Sequence, residues 1–355
     1  MERLEKLRSI FDKHGIDGML ITNDQNRRYM TGFTGTAGLV LITKEEAFLV
    51  VDFRYAAQAN EQAKDYTVIE VSTKANLLEE IVQQVARLNI GKLGFEQVHV
   101  SYYSYSEYKD KLSIELVPLT GVIEKLRMIK NEKEIKTIRT AAEIADAAFT
   151  HIQEFIRPGR TEIEVSNELE FYMRKQGAIS SAFDTIVASG HRSAFPHGVA
   201  SHKVIEKGDM VTLDFGAYYE GYRSDITRTL AIDEPKEELK EIYHIVLESL
   251  STALSSIKPG ITGKEADAYS RDFITEKGYG KQYGHGSGHG IGLDIHEEPF
   301  KNVNCQIKLE PGMVLTVEPG IYIPNLGGVR IEDDILITRD GNEVLTKSAK
   351  DLIIL

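Results

Sequence analysis

The sequence lacks several features that would direct its classification elsewhere. It has one cysteine, Cys305, so no intrachain disulfide can form, which fits a reducing compartment. The N-terminal segment has no apolar stretch typical of a secretory signal, and no run of residues approaches the ~18 apolar residues of a membrane span. We therefore expect a cytoplasmic protein that does not associate with membranes.

Basic residues are also in deficit, and the formal net charge is −12. A negative surface repels phosphate backbones and anionic lipids, which argues against nucleic acid as a partner. The phosphate-binding motif G-x-x-x-x-G-K-[ST] does not occur, and the glycine-rich segment at 284–296 does not have the G-x-G-x-x-G spacing. Nucleotide binding is therefore not indicated.

The 355 residues exceed what one compact core usually takes, so two domains are expected. In the first third of the chain, extended apolar segments alternate with helical stretches, which predicts an α/β domain over residues 1–125. Its predicted strands lie at 18–22, 38–42, 47–51, 66–71 and 92–96, and its later helices lie near 76–90 and 101–112. Asn131 and Glu134 then form a predicted capping box at the start of a long amphipathic helix. The second domain is expected over 126–355, which makes the chain an α+β protein.

The second domain contains a weak internal repeat. Residues 156–177 resemble residues 257–278 in length and in the placing of a Pro-Gly turn, a threonine and a glutamate. About 50 residues after the start of each copy, an apolar strand ends on a carboxylate, Asp214 in the first copy and Glu318 in the second. Chance can explain any one of these matches, because Gly and Pro turns are common, but it explains poorly why all of them occur in register. The repeat predicts a duplicated α+β unit whose halves face each other around a pseudo-twofold axis.

A second carboxylate follows each of these strands: Asp225 follows Asp214, and Glu332 follows Glu318. A hairpin turn near residues 220–221 would place Asp214 and Asp225 roughly opposite each other, with their Cβ atoms about 5 Å apart. Carboxylates that close repel unless a cation or a proton lies between them. Solvated strand ends are the alternative for any single acid, but four converging acids predict a pair of divalent ions.

Three of the ten histidines, His285, His289 and His296, lie in the glycine-rich segment at 284–296. Glycine allows the backbone to approach a ligand closely, and imidazoles at neutral pH serve as metal ligands and proton carriers. The alternative is a polar surface loop. The clustering favours a functional site.

These motifs resemble those of the proline-specific metallopeptidases, which comprise prolidase (Xaa-Pro dipeptidase) and aminopeptidase P. The resemblance rests on the segment 285–297, on Val317-Glu318-Pro-Gly and on Val329-Arg330-Ile-Glu332-Asp-Asp, and it extends over nearly the whole chain. It implies a creatinase-like N-terminal domain at 1–125 and a catalytic domain of the pita-bread fold at 126–355. It also implies a homodimer.

By position, the resemblance implies that Asp214 binds one metal ion, that His289 and Glu318 bind the other, and that Asp225 and Glu332 bridge the two. A ligand set that is mostly oxygen with one imidazole suits Mn²⁺ first, with Co²⁺ and Zn²⁺ as alternatives. Two such ions can share a water and lower its pKa toward ~7, which would give a hydroxide nucleophile.

The resemblance further implies roles for residues around the metals. His197, His285 and His296 fall at the positions of substrate-binding and proton-transfer histidines, and Arg330 matches an arginine that supports the site. Glu318 would also accept the proton of the attacking water. The expected substrate is a small peptide with proline after the scissile bond.

Several related functions remain as alternatives. The short N-terminal domain favours a dipeptidase over an aminopeptidase P that acts on longer peptides. A methionine aminopeptidase usually has no such domain, and a metal-free creatinase-type hydrolase would lack the ligand set. A non-catalytic binding module of the same fold would not need four converging carboxylates.

Overall fold

The computed structural model describes residues 2–72 and 76–355. These residues form two compact units, of which one ends at Arg127 and the other begins at Met128. Within the described ranges, no helix combines the length and the apolar character that crossing a bilayer requires.

The first unit is built on a mixed sheet in the order β4-β3-β2-β1-β5-β6. Its strands are β1 (Gly18–Ile21), β2 (Leu39–Thr43), β3 (Ala47–Asp52), β4 (Thr67–Val71), β5 (Lys92–Glu96) and β6 (Glu115–Leu119). Its helices are α1 (Glu2–Arg8), α2 (Phe11–His14), α3 (Asp24–Thr31), α4 (Ala56–Gln62), α5 (Leu77–Arg87), α6 (Tyr102–Lys111) and α7 (Val122–Met128), the last of which ends at the division between the units.

Apolar side chains on both sides of this sheet are buried. Leu20, Leu41 and Val50 of the sheet pack in one cluster with Leu78 and Ile81 of α5. Burying each such side chain contributes about 1.5–3 kcal/mol, so the cluster holds α5 on the sheet. The five predicted strands are confirmed. The edge strand β6 was not predicted, because the proline within it is atypical of a strand interior.

The second unit contains two pairs of helices, each followed by strands. The helices are α8 (Glu132–Phe155), α9 (Glu162–Lys175), α10 (Glu237–Ser256) and α11 (Gly263–Glu276). The strands of the first half are β7 (Ser180–Ser181), β8 (Ile186–Ser189), β9 (Met210–Phe215), β10 (Ala217–Tyr219), β11 (Tyr222–Arg223) and β12 (Ile226–Ala231). Those of the second half are β13 (Gly288–Gly290), β14 (Glu297–Lys301), β15 (Val314–Val317), β16 (Gly320–Ile323), β17 (Gly327–Arg330), β18 (Asp333–Ile337) and β19 (Asn342–Val344). Short 3₁₀ helices lie at Gly190–Ala194 and Gly280–Gln282.

The two halves repeat the same local structure at matched positions. Thr161 caps α9 and Thr262 caps α11, each in a complete capping box with a glutamate three residues later. The preceding glycines, Gly159 and Gly260, have φ values of +93° and +92°, which favour glycine. Both threonines also form an isolated antiparallel bridge, Thr161 to Val204 and Thr262 to Lys308. The duplication predicted from the sequence is therefore confirmed in local structure.

The halves meet where β12 runs beside the segment 330–334. The backbone N–H of Glu332 donates to the carbonyl of Thr227 at 3.0 Å, and the hydroxyl of Thr229 donates to the carbonyl of Arg330 at 2.8 Å. The sheets on either side have the orders β12-β9-β8 and β14-β13-β15-β18-β19. This junction brings the strand ends that carry the acidic residues of both halves to one place.

Candidate functional site

The acids of the first half lie on a hairpin formed by β9 and β12, with a turn at Glu220 and Gly221. Asp214 pairs directly with Thr227 and not with Asp225, which precedes β12. The expectation that the two acids lie opposite each other is therefore wrong in detail. Because Asp225 is two residues from Thr227, it is the diagonal neighbour of Asp214 on the same face. The two side chains still point into one site.

The acids of the second half lie directly opposite each other. Val317 pairs with Asp333, and Gly320 pairs with Arg330, so one continuous register places Glu318 against Glu332. The turn at residues 324–326 closes the hairpin.

His289 lies on the short strand β13, within the glycine-rich segment. Its backbone N–H donates to the hydroxyl of Thr316 at 3.2 Å, and its Nδ1 lies 3.0 Å from the carbonyl of Gly290. Because a carbonyl only accepts, Nδ1 carries the proton and Nε2 keeps its lone pair. Nε2 is 3.7 Å from an oxygen of Asp225 and 3.7 Å from an oxygen of Glu318.

The electrostatics of these acids favour a cation or a proton between them. Burial, followed by the neighbouring carboxylates, raises the pKa of both Asp225 and Glu332 well above the ordinary range. One buried oxygen each of Asp214, Asp225 and Glu332 has no hydrogen-bond partner. Ligand atoms of Asp225, His289 and Glu332 all lie within 4.8 Å of one another. Oxygen-rich ligands with one imidazole fit divalent ions, which would neutralise the acids.

Neighbouring polar groups fix the orientation of the acids. The guanidinium of Arg330 is hydrogen-bonded to Asp214 and also donates to the hydroxyl of Tyr322 at 2.9 Å. The hydroxyl of Thr227 donates to Glu332 at 2.6 Å, and the carboxylate of Asp334 accepts from the backbone N–H of Asp225 at 2.9 Å. Such partners orient metal ligands and increase metal affinity.

The predicted histidines surround the acids. Nδ1 of His285 donates to the carbonyl of Gly286 at 2.7 Å, so its Nε2 accepts from the hydroxyl of Tyr322 at 3.0 Å. The ring of His296 lies 4.4 Å from that of His289. Burial lowers the pKa of His285, His289 and His296, so all three are neutral near pH 7.

One cavity of about 510 Å³ contains these groups, and its size is typical of a small-molecule site. The side chains of Phe183, Ile186 and Phe300 supply apolar wall next to the polar floor. All of the site residues predicted from the sequence line it: His197, Asp214, Asp225, His285, His289, His296, Glu318, Arg330 and Glu332.

The sequence did not predict a place in the site for Tyr322, Thr227 or Lys301. Tyr322 is a single polar residue in an otherwise apolar strand, which could have signalled a role, and Thr227 follows Asp225 by two residues on the same face. Lys301 carried no signal, because a lysine in a strand normally faces water. In the structure its side chain is fully buried at the cavity wall, and its Nζ has no hydrogen-bond partner.

Comparison with known proteins identifies related families for both units. The model for "Metallopeptidase family M24" matches residues 136–339, and the model for "Creatinase/Prolidase N-terminal domain" matches residues 3–129. Together the two matches extend over most of the chain.

Related proteins match over nearly their whole length. The structure of an Xaa-Pro dipeptidase from Bacillus anthracis is 61% identical, with a TM-score of 0.98 over 100% of this chain and 99% of that one. A curated Xaa-Pro dipeptidase from Pyrococcus horikoshii is 46% identical over 99% of both chains. The structure of an X-Pro aminopeptidase from Thermotoga maritima is 41% identical, with a TM-score of 0.91 over 96% of this chain and 98% of that one.

Proposed function

Because the chain belongs to metallopeptidase family M24, we propose that it is a metal-dependent peptidase that hydrolyses Xaa-Pro bonds, and specifically an Xaa-Pro dipeptidase. The observation that carries this proposal is the set of buried carboxylates with unpartnered oxygens around a cavity of peptide size. The 46% and 61% identical relatives that are named Xaa-Pro dipeptidases support it.

Five side chains would hold two divalent ions: Asp214, Asp225, His289, Glu318 and Glu332. We propose Mn²⁺ as the resident metal, with Co²⁺ and Zn²⁺ as alternatives, because the donors are mainly oxygen. When bound, the ions would polarise the scissile carbonyl and activate a water for attack.

The protein groups would manage the protons and the substrate. Glu318 would accept the proton of the attacking water and return it to the proline nitrogen as the peptide bond breaks. One of its oxygens lies 3.9 Å from Nδ1 of His285, at the same wall of the cavity. His296 and His197, at the cavity wall, would donate hydrogen bonds to the oxyanion and the substrate. Attack on the carbonyl does not depend on the N–H that proline lacks.

We also propose a creatinase-like domain at 1–125, a catalytic domain at 126–355, a homodimer and a cytoplasmic location. The family match to residues 3–129 and the single cysteine support the first and last of these.

The second candidate function is Xaa-Pro aminopeptidase, which the 41% identical Thermotoga relative favours. The decisive experiment compares Ala-Pro with Ala-Pro-Ala and longer peptides, in the presence of Mn²⁺, Co²⁺ or Zn²⁺ in turn. A dipeptidase cleaves Ala-Pro at least about 100-fold better in kcat/KM, because a pocket built for a terminal carboxylate rejects an extended chain. Efficient removal of alanine from the longer peptides would establish the aminopeptidase.

The variant Glu318→Gln tests whether Glu318 takes part in the chemical step. The substitution keeps the shape of the side chain but removes the proton acceptor, so kcat is expected to fall at least about 1,000-fold. Full activity of this variant, or no cleavage of any Xaa-Pro bond by metal-loaded protein, would contradict the proposed function.

A further inference from the structure

Helix α11 carries an ion pair between a buried aspartate and a partly exposed arginine, neither of which lines the cavity. Asp267 is buried, and Arg271 lies one turn later on the same face of the helix. Nε of Arg271 donates to one oxygen of Asp267 at 2.6 Å, and Nη2 donates to the other at 3.0 Å. This two-point geometry is the strongest form of a carboxylate–guanidinium interaction.

Both members of the pair also bind the backbone of the glycine-rich segment. Oδ1 of Asp267 accepts from the backbone N–H of Ser287 at 2.9 Å, and Nη2 of Arg271 donates to the carbonyl of His285 at 2.7 Å. The carbonyl of Ser287 in turn accepts from the backbone N–H of Glu318 at 3.0 Å. The pair is thus linked through Ser287 to the group that would accept the proton.

The backbone of the glycine-rich segment depends on such outside contacts to hold one conformation, because its own residues restrict it little. Gly284, Gly286 and Gly288 alternate with the other residues there, and glycine has the greatest backbone freedom to lose on folding. Both oxygens of Asp267 have hydrogen-bond partners in Arg271 and Ser287, whereas Asp214, Asp225 and Glu332 each have a buried oxygen without one.

We propose that Asp267 and Arg271 are positioning residues, which set the backbone at 285–287 and through it the placement of His285 and Glu318. The inference rests on the proposed function, in which His285 and Glu318 act on the substrate. Because neither residue of the pair lines the cavity, the pair would affect reactivity through the backbone and not through contact with the substrate.

The test uses Arg271→Gln and Asp267→Asn in the full-length protein. Displacement of Glu318 by less than 1 Å is expected to lower kcat for Ala-Pro by about 10- to 100-fold, with KM changed by less than about 3-fold. Independently of activity, the affinity of the metal-free protein for Mn²⁺ is expected to fall about 10-fold, measured by competition with a fluorescent chelator.

Two further variants serve as controls. Arg174→Gln breaks the Arg174–Glu170 pair, which has the same four-residue spacing on the equivalent helix α9 but is exposed. This variant should leave both kcat for Ala-Pro and the affinity for Mn²⁺ unchanged. Arg271→Lys keeps the charge beside Asp267 and the folded structure but loses the planar fork, so it should give intermediate values of kcat and Mn²⁺ affinity.

The outcomes separate the inference from the proposed function. If Arg271→Gln and Asp267→Asn lower only the melting temperature, with kcat and Mn²⁺ affinity equal to those of Arg174→Gln, the pair is merely structural and the inference is overturned. If no variant, including the wild type, cleaves an Xaa-Pro bond but Mn²⁺ affinity falls only in the Asp267 and Arg271 variants, positioning stands and the proposed function fails.

Discussion

The side chain of Lys301 passes directly over Gly288, and its Cε would lie 2.7 Å from a Cβ at that position. Gly288 also has a φ of +148°, and a Cβ there would meet the carbonyl of Thr316. The strand next to His289 can therefore carry only glycine at this point, because both its backbone angle and its surroundings exclude a side chain.

Gly288→Ala is expected to destabilise the protein by more than about 3 kcal/mol, since the clashing carbonyl belongs to the rigid strand β15. Gly284→Ala is the matched control, because a Cβ at residue 284 would meet nothing within 4 Å. Urea unfolding of both variants measures the difference. Equal stability of the two would show that the strand can shift to admit a methyl group.

Lys301→Met tests the cost of the buried amine. Burial lowers the pKa of Lys301 from 10.5 to about 7, so between these two pH values the folded protein holds fewer protons than the unfolded chain. Burying the charged amine therefore lowers the free energy of unfolding by its full amount below pH 7. This loss disappears as the pH rises toward 10.5, the ordinary pKa of lysine. In metal-free protein, Met should raise the melting temperature most near pH 6 and least near pH 10. A difference that does not change with pH would refute the burial effect.

Tyr322→Phe removes a hydroxyl that serves two groups of the site. Nε2 of His285 and Nη1 of Arg330 each lose a partner, and kcat is expected to fall about 10-fold, which corresponds to ~1.4 kcal/mol for the loss of both hydrogen bonds together. Tyr243→Phe is the control, because its buried hydroxyl donates to the carbonyl of Lys350 at 2.8 Å, remote from the cavity. The same loss of kcat in both variants would assign the effect to general destabilisation.

Metal removal should destabilise the protein by an amount that grows with pH. Burial raises the pKa of Asp225 and Glu332, so the metal-free folded state binds more protons than the unfolded chain. The metal-free folded state is therefore most stable at low pH, and its stability declines as the pH rises through these raised pKa values. The decrease in melting temperature on adding a chelator should be small at pH 5 and larger at pH 8, as calorimetry can measure. A constant decrease would contradict this coupling.

Much of the fold follows from local patterns in the sequence. The capping boxes of Thr161 and Thr262 and the strands of the first unit depend on neighbours a few residues away, so they could be predicted. The repeated strand ends at Asp214 and Glu318 likewise predicted which acids converge, because a duplication places matched residues at one junction.

Tertiary structure decided what depends on distant partners. The diagonal placing of Asp225 follows from the register of the hairpin, which is set by pairing along its whole length. The burial of Lys301 and the link from Arg271 to the carbonyl of His285 join segments that the sequence does not mark as neighbours. The sequence alone determined the kinds of residue at the site and their strand ends, whereas packing determined their distances, partners and proton affinities. The reason is that local backbone preference acts over a few residues, but desolvation and hydrogen bonding depend on the whole enclosing fold.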